Sequence, residues 1–534
     1  LQNDWKKSAN EIVLCEDDEG RLYHRENFGN KEIYCKKKLV RAKYLNSVNT
    51  TGWAFLEVEV LKKASLDLQG YVAGYLEGII SKDLIDLHIQ NTVDGYCDGA
   101  EEYCENLNNF LLENVQWMLE QIKNYPDDEY WQQVSLTLHQ VFGLVDGYDG
   151  VLNQQLSIKN LVAHPIYLIQ LAGDLEDLSE KFNKPSNPTR LKTGHGRCSA
   201  LVKLLPDFSD IYFSHVTWSS YSSLLRMQKK YTFRSNNPGN SYSFSSYPGS
   251  VTSTDDFILT SAKLAIFETT IGNYDKRLYD FTTPQTVLTF IRSQIAHRTA
   301  SSGTEWAHAF AKHNSGTYNN QWVILDYKNF RRYDSNQRSH GLLHVLEQMP
   351  HHIVHSDMTS QLYNTTYWPS YNTPYFPQIF KWSGAPAMVD RYGDWYSYDK
   401  TPRALIFKRD HSKVKDMRTM IKLMRSNNYT EDPLSACDCE PPYSGENAIS
   451  CRSELNDPDG VYPFPALGYR DHGATDMKVT NSYLINKLAF TAIAGPTHDP
   501  TPVFDWRTIS IKDKVPHNGQ PDVWDFKPVT FKWK

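Results

Sequence analysis

No uninterrupted apolar run in the 534-residue chain reaches about 18 residues, the length a helix needs to cross a bilayer. No segment is therefore expected to span a membrane as a simple helix, and a lipid must be met from solution. A charge bias is missing too. The 56 Lys and Arg residues nearly balance 62 Asp and Glu, leaving a formal net charge of -6. That offers little to a phosphate backbone, so nucleic acid is not an expected partner. There is no Gly-x-Ser-x-Gly pentapeptide, which removes the nucleophile elbow of a serine α/β-hydrolase. There is no His-Glu-x-x-His, which removes the usual helical zinc motif. No internal repeat is visible.

What is present supports a packed interior: 40% of residues are hydrophobic and 13% aromatic, against 22% charged, which argues against extensive disorder. The chain begins at Leu1 with neither an apolar core nor a basic leader, giving the expectation that a targeting peptide has been removed. Acceptor triplets for N-glycosylation start at Asn49, Asn364 and Asn428, and together with clustered cysteines they point to a secreted or lysosomal protein. Of the eight cysteines, Cys97 and Cys104 lie close together, as do Cys437, Cys439 and Cys451, so local disulfides are expected among these five. If Cys97 pairs with Cys104 and one bridge joins the later trio, Cys198 stays a free thiol. Cys437 and Cys439 lack the spacer and the second pair of a zinc knuckle. His340, His344, His351, His352 and His355 form a dense histidine cluster, but Pro350 would interrupt any helix carrying all five. They are read as solvated or core residues, and no metal or other cofactor is expected.

From Trp53 to about Phe182 the chain reads as a strand, Trp53–Val60, followed by several amphipathic helices. Asn106–Ile122, with Leu107, Phe110, Leu111, Val115, Met118 and Leu119 at three- and four-residue spacing, is one of these. Residues 181–197 change character, with two prolines, two glycines and five Lys or Arg, and read as an exposed, cleavable linker. Cys198–Leu205, a turn at Pro206–Asp210, and Ile211–Trp218 then give a β-hairpin signal. Arg234–Thr254 has the composition of a long loop or irregular hairpin. Further strands are predicted at Phe257–Leu259, Ala265–Thr270, Gln321–Asp326 and Ala404–Lys408, and helices at Pro284–His297 and Val414–Arg425. This irregular mixture lacks the strand and helix alternation of a doubly wound parallel sheet and predicts an α+β sandwich.

A cysteine opening a strand after a cleavable linker gains its own amine if the bond before it is cut. The α-amine has a reference pKa of about 8 and the thiol about 8.5, so one residue can hold both nucleophile and base. Near pH 5 an unassisted thiol, about 3.5 units below its pKa, is ionised roughly once in 3,000 molecules, so a local site must activate it. The alternative at this point is a small buried residue or half of a disulfide.

The run Gly196-Arg197-Cys198-Ser199-Ala200-Leu201, followed by His215, Trp218 and Tyr221, resembles the phospholipase B-like family. Phe244–Gly249, Asp255-Asp256-Phe257, Glu268–Asn273, Ser370–Pro374 and Thr401–Ala404 follow in that family's order, and the likeness runs over essentially the whole chain. The resemblance implies an N-terminal-nucleophile hydrolase fold, a four-layer αββα sandwich, and self-cleavage. Residues 1–197 would be an N-terminal fragment ending in the linker and 198–534 a C-terminal fragment starting with the nucleophile, both building one globular unit. It also implies Cys198 as nucleophile and base, with His215, Trp218, Thr270, Asn372 and Arg403 lining the site. The Asn372 amide can donate to an oxyanion, and Arg403 can anchor an anion and favour the thiolate.

His215 is expected opposite Cys198 across the hairpin. Trp218, three residues on, should point to the other face unless a bulge intervenes. Thr269 and Thr270 alternate, so one alone should face the site, and Thr270 comes from the resemblance. The aromatic pairs Tyr367-Trp368 and Trp395-Tyr396 are candidates for an acyl groove. The expected activity is hydrolysis of lipid acyl esters or of amides, with a lipid, N-acyl compound or peptide as substrate. A non-enzymatic or degenerate lipid-binding lysosomal glycoprotein is the alternative.

Overall fold

The strand expected at Trp53–Val60 forms with those bounds, and alternate side chains of it enter different layers. Trp53 and Phe55 join one apolar cluster, while Ala54, Leu56, Val58 and Val60 join another, as the two-residue period of a strand requires. The structure, a computed structural model, describes residues 5, 8–27, 35–155, 157–185, 197–253, 257–334 and 340–533. Most of the expected linker, at 186–196, and the pair Asp255-Asp256 lie outside the described residues, and of Arg197 only the backbone is described.

The strands are, in chain order, β1 (Asn10–Glu16), β2 (Leu22–Asn27), β3 (Lys37–Ser47), β4 (Trp53–Val60), β5 (Arg197–Leu204), β6 (Ile211–Ser219) and β7 (Arg226–Thr232). They continue with β8 (Ser241–Ser246), β9 (Ile258–Thr260), β10 (Leu264–Thr270), β11 (Asn320–Asp326), β12 (Leu343–Met349), β13 (His352–Asp357) and β14 (Tyr367–Ser370). The last are β15 (Gly473–Ala474), β16 (Asp476–Asn481), β17 (Thr491–Ala494), β18 (Phe504–Asp505), β19 (Val523–Trp524) and β20 (Val529–Thr530). An 11-stranded sheet runs β13-β12-β11-β10-β9-β8-β7-β4-β3-β1-β2. A 7-stranded sheet runs β14-β5-β6-β16-β17-β20, with β15 also on β6. The fold is therefore mixed α+β, with mostly antiparallel pairing. β4 and β7, which flank the expected linker in sequence, pair in parallel.

The helices that matter here are α1 (Leu66–Ile80), α2 (Glu101–Asn124), α3 (Glu129–Asp149), α4 (Asp174–Lys181), α5 (Thr289–Thr299), α6 (Gly303–Ala311), α7 (Pro402–Asp410) and α8 (Met417–Met424). Phe55, Phe267 and Val323 of the large sheet meet Val202, Phe213 and Trp368 of the small one. On its other face the large sheet packs Leu56 and Val58 against Tyr71 and Leu76 of α1, and Ile266, Trp322 and Ile324 against Trp306 and Phe310 of α6. The small sheet packs Leu201, Val216 and Met477 against Phe407 of α7 and Met420 and Met424 of α8. Among the described residues, no helix is long and apolar enough to cross a membrane.

The hairpin at Cys198 and the strands near residues 258, 265 and 321 form as expected, and α2, α5 and α8 fall where helices were predicted, with shifted ends. Ala404–Lys408 does not form a strand. It lies inside α7, where Pro402 occupies the first turn and Arg403, Ala404, Ile406, Phe407 and Asp410 are buried at helical spacing. Five apolar-rich residues are too few to distinguish the two periods, and the proline marks the helix start. The five histidines sit on the β12–β13 hairpin and the segments leading into it, not on a helix. His344 and His355 come within 3.0 Å of each other, and His352 stacks on Trp382.

Cys97 pairs with Cys104 and Cys437 with Cys439, and Cys15 pairs with Cys35. Of the later trio, for which one bridge was expected, Cys451 is the member left out of the disulfide, and it is buried. Its two neighbours in the trio are joined to each other, and its own Sγ donates to Glu446 Oε2 at 3.1 Å.

Behind the large sheet, α1 and α3 approach until backbone meets backbone. A Cβ on Gly74 would stand 1.9 Å from the Gln140 carbonyl oxygen, and one on Gly143 2.0 Å from that of Tyr71. Gly74→Ala is expected to destabilise the protein by about 1–3 kcal/mol despite alanine's better helix propensity, because the clash is with main chain that cannot swing aside. Chemical denaturation should show the loss; an unchanged midpoint would refute this packing.

Candidate active site

Cys198 is the second residue of β5 and is 2% exposed. Its main chain is held by side chains from two other elements. The Cys198 N–H donates to Asn372 Oδ1 at 3.2 Å, and Arg403 Nη1 donates to the Cys198 carbonyl oxygen at 2.6 Å. Across the ladder Cys198 stands opposite Thr217. The Thr217 N–H donates outward to Asp476 Oδ1 at 3.3 Å, and its carbonyl accepts from the Thr475 N–H at 2.8 Å. With both residues bonded outward, this rung has the character of a non-hydrogen-bonded pair, whose Cα atoms come within about 4.5 Å and whose side chains lie close together.

The expectation that His215 faces Cys198 directly is corrected by this register. His215 stands opposite Ala200, two residues along the same face, and is fully buried. Its Nε2 lies 2.9 Å from the Glu268 carbonyl oxygen. A carbonyl only accepts, so Nε2 carries the hydrogen, and in the neutral ring Nδ1 is left as an acceptor. The thiol of Cys198, a ring nitrogen of His215 and a carboxylate oxygen of Glu268 all lie within 4.8 Å of one another. In the sequence Glu268 opens the family segment Glu268–Asn273, and nothing in its spacing points to Cys198. Its Oε1 accepts from the Tyr318 hydroxyl at 2.7 Å.

Trp218 faces away from His215, as the spacing requires, and belongs to the cluster beneath α7 and α8. Arg403, on the first turn of α7, lies over the Trp218 ring at 4.4 Å, within cation–π range. Asn372 follows β14 in a left-handed conformation, φ 69°, which asparagine tolerates better than most residues. Its Nδ2 donates to the Thr270 carbonyl oxygen at 2.8 Å, while its own N–H approaches Thr269 Oγ1 at 3.4 Å. Thr269 thus joins through its hydroxyl, also bonded to Ser370, and Thr270 through its carbonyl.

Two clefts adjoin these groups. The first is lined by Cys198, Thr217, Trp218 and Ser219 together with Glu176 of α4 and Tyr318. The second is walled by Tyr274, Tyr371, Trp395 and Tyr396 and reaches Asn372 and Arg403. Trp395-Tyr396 lines this cleft. Tyr367-Trp368 does not, because Trp368 fills the space between the sheets and Tyr367 stacks on His411. A second buried set, Glu446, Cys451 and His472, has metal-like spacing. There Arg470 stands 2.8 Å from Glu446 Oε2 and 3.3 Å from His472 Nδ1, so a guanidinium already occupies the position of a cation.

A family model described as Phospholipase B matches residues 40–531. The chain is 60% identical over 527 residues to the Caenorhabditis elegans protein named "Putative phospholipase B-like 1", covering 98% of this chain and 92% of that one. It is 46% identical over 508 residues to the human "Putative phospholipase B-like 2" (92% and 85% covered). It is 36% identical over 508 residues to the Dictyostelium discoideum "Phospholipase B-like protein B" (92% and 85% covered).

Burial raises three carboxyls that support the site. Glu347, which accepts from the Tyr375 and Phe376 N–H groups just after Asn372, is pushed up to about 7. Asp177 on α4 and Asp471, which accepts from the Tyr221 N–H, are pushed up to about 6. Folded values above the unfolded value near 4 mean that the folded state binds more protons. The stability each contributes is complete below about pH 4 and is lost as pH rises through about 6 to 7. Thermal stability is expected to fall between about pH 4 and pH 7, less steeply in Glu347→Gln. An unaltered slope in that variant would contradict the assignment.

Proposed function

Because the chain belongs to the phospholipase B family, we propose that it is an N-terminal-nucleophile hydrolase that cuts itself between Arg197 and Cys198. It then uses the Cys198 thiol and freed α-amine to hydrolyse acyl bonds of lipids. The observation that carries this reading is the clamp on Cys198, a buried thiol outside any disulfide at a strand start, with Asn372 on its N–H and Arg403 on its carbonyl. The succession of helices, large sheet, small sheet and helices supports the four-layer αββα assignment.

In the first step the Cys198 sulfur attacks the Arg197 carbonyl, the carbon–nitrogen bond breaks, and the Cys198 nitrogen leaves as an amine after taking a proton. Water then hydrolyses the thioester. The bond between Asn372 and the Cys198 N–H fixes the nitrogen that leaves. In turnover the amine takes the thiol proton as sulfur attacks the substrate carbonyl, and it returns that proton to the departing alcohol or amine; water releases the acid. An amide NH₂ has two hydrogens, and the one on Asn372 not directed at Thr270 serves the oxyanion. The aromatic cleft suits an acyl chain, and the cleft carrying Glu176 and Ser219 suits the polar leaving part. Esters and amides share this chemistry.

Parallel pairing of β4 with β7 supports two fragments that remain one unit after the cut. The disulfides and the exposed Asn49, Asn364 and Asn428 support a secreted or lysosomal glycoprotein.

Mass spectrometry of protein incubated at acidic pH should find a new N-terminus at Cys198, with the two fragments co-eluting until denatured. Cys198→Ala should stay intact, and cut wild type, unlike Cys198→Ser, should release fatty acid from a panel of glycerophospholipids and N-acyl lipids. A chain that stays whole would sink the proposed mechanism. Digestion with a peptide N-glycosidase should lower the mass at each of the three asparagines; glycan-free protein from a secretory host would remove that support for the compartment.

A further inference from the structure

The small sheet buries a charge cluster on the far side of Thr217 from Cys198. Lys478 of β16 stands opposite His215 in the ladder, and its Nζ donates to the Thr217 hydroxyl oxygen and to Asp476 Oδ1 at 2.7 Å. Asp476 accepts also from the Thr217 N–H and pairs with Arg226 at 2.7 Å. The side chains of Arg226, Asp476 and Lys478 are fully buried. An ammonium has three hydrogens and no lone pair, so at Thr217 it donates and the hydroxyl oxygen accepts. Thr217 is the residue whose side chain lies beside the Cys198 thiol, and both line the same cleft.

We propose that Lys478, acting through Thr217, is a positioning residue that keeps positive charge next to the Cys198 thiol and favours its thiolate. The proposal rests on the reading of Cys198 as nucleophile. His215 from β6 and Glu268 from β10 lie within 4.8 Å of the thiol and Glu176 from α4 lines its cleft, while Arg403 from α7 holds the Cys198 carbonyl and Asp476 of β16, paired with Arg226 of β7, lies behind Thr217. The carboxylates oppose ionisation and the cations favour it. Lys478 is distinguished from Arg403 by its place. Arg403 grips the Cys198 main chain, whereas Lys478 is fixed by sheet register at the hydroxyl flanking the sulfur. Little water intervenes to screen its charge.

The test is the pH dependence of Cys198 alkylation by iodoacetamide, resolved by mass spectrometry, in folded protein and in urea. Lys478→Met is expected to slow labelling about tenfold near pH 6, to displace the profile toward alkaline pH and to leave the limiting rate unchanged. Lys478→Arg should keep most of the wild-type profile. If Lys478→Met does not fold, Thr217→Val decides: an alkaline displacement supports the relay, and a profile superimposable on wild type overturns it. A wild-type profile identical in folded protein and in urea would sink the nucleophile reading itself. A wild-type profile more acidic than in urea that Lys478→Met leaves unmoved would sink only the role of Lys478.

Discussion

Everything at the candidate site depends on how the main chain of one residue is held. Cys198 sits on the first full rung of β5, where a strand has fewer neighbours to complete its hydrogen bonding. Side chains complete it here, Asn372 from the end of β14 and Arg403 from the first turn of α7. Buried backbone groups must find partners. In this position the partners also fix the nitrogen that a cut would release and the carbonyl beside it. A satisfied strand end and a prepared reaction centre are the same set of contacts.

The surroundings are arranged around buried charge. Arg226, Asp476 and Lys478 are fully buried, and removing one member of such a set typically costs about 3–5 kcal/mol. That cost makes the cluster a rigid source of potential close to the thiol. Glu347, Asp177 and Asp471 hold the loop after Asn372, helix α4 and the end of β6, and burial pushes all three upward. The contribution of these three carboxyls to holding the site is therefore greatest when they are protonated.

Much of the local structure was legible from side-chain periodicity. Alternation gave Trp53–Val60, and the linker followed by two apolar runs gave the hairpin that begins at Cys198. The three-residue step from His215 to Trp218 correctly separated their faces. A run too short to show its period carries no such signal. Ala404–Lys408 looked like a strand because five residues cover little more than one helical turn, although Pro402 at the helix start carried the missing signal. Cys451 was grouped with Cys437 and Cys439 by sequence distance, while the fold sets it among Glu446, Ser453 and His472.

The sequence by itself determined that Cys198 opens a strand after a change in composition, and that the chain builds an α+β fold with Asn372 and Arg403 in recognisable motifs. Tertiary structure alone decided what faces the thiol. Thr217 stands directly across the ladder from Cys198, with His215 two residues along the same face and its ring still within 4.8 Å of the thiol, because strand register is set by packing between the sheets. Lys478, 261 residues from Thr217, reached it because β16 lies beside β6. Local preference acts over a few residues, whereas register and strand order arise from the burial of whole faces and leave no spacing to read.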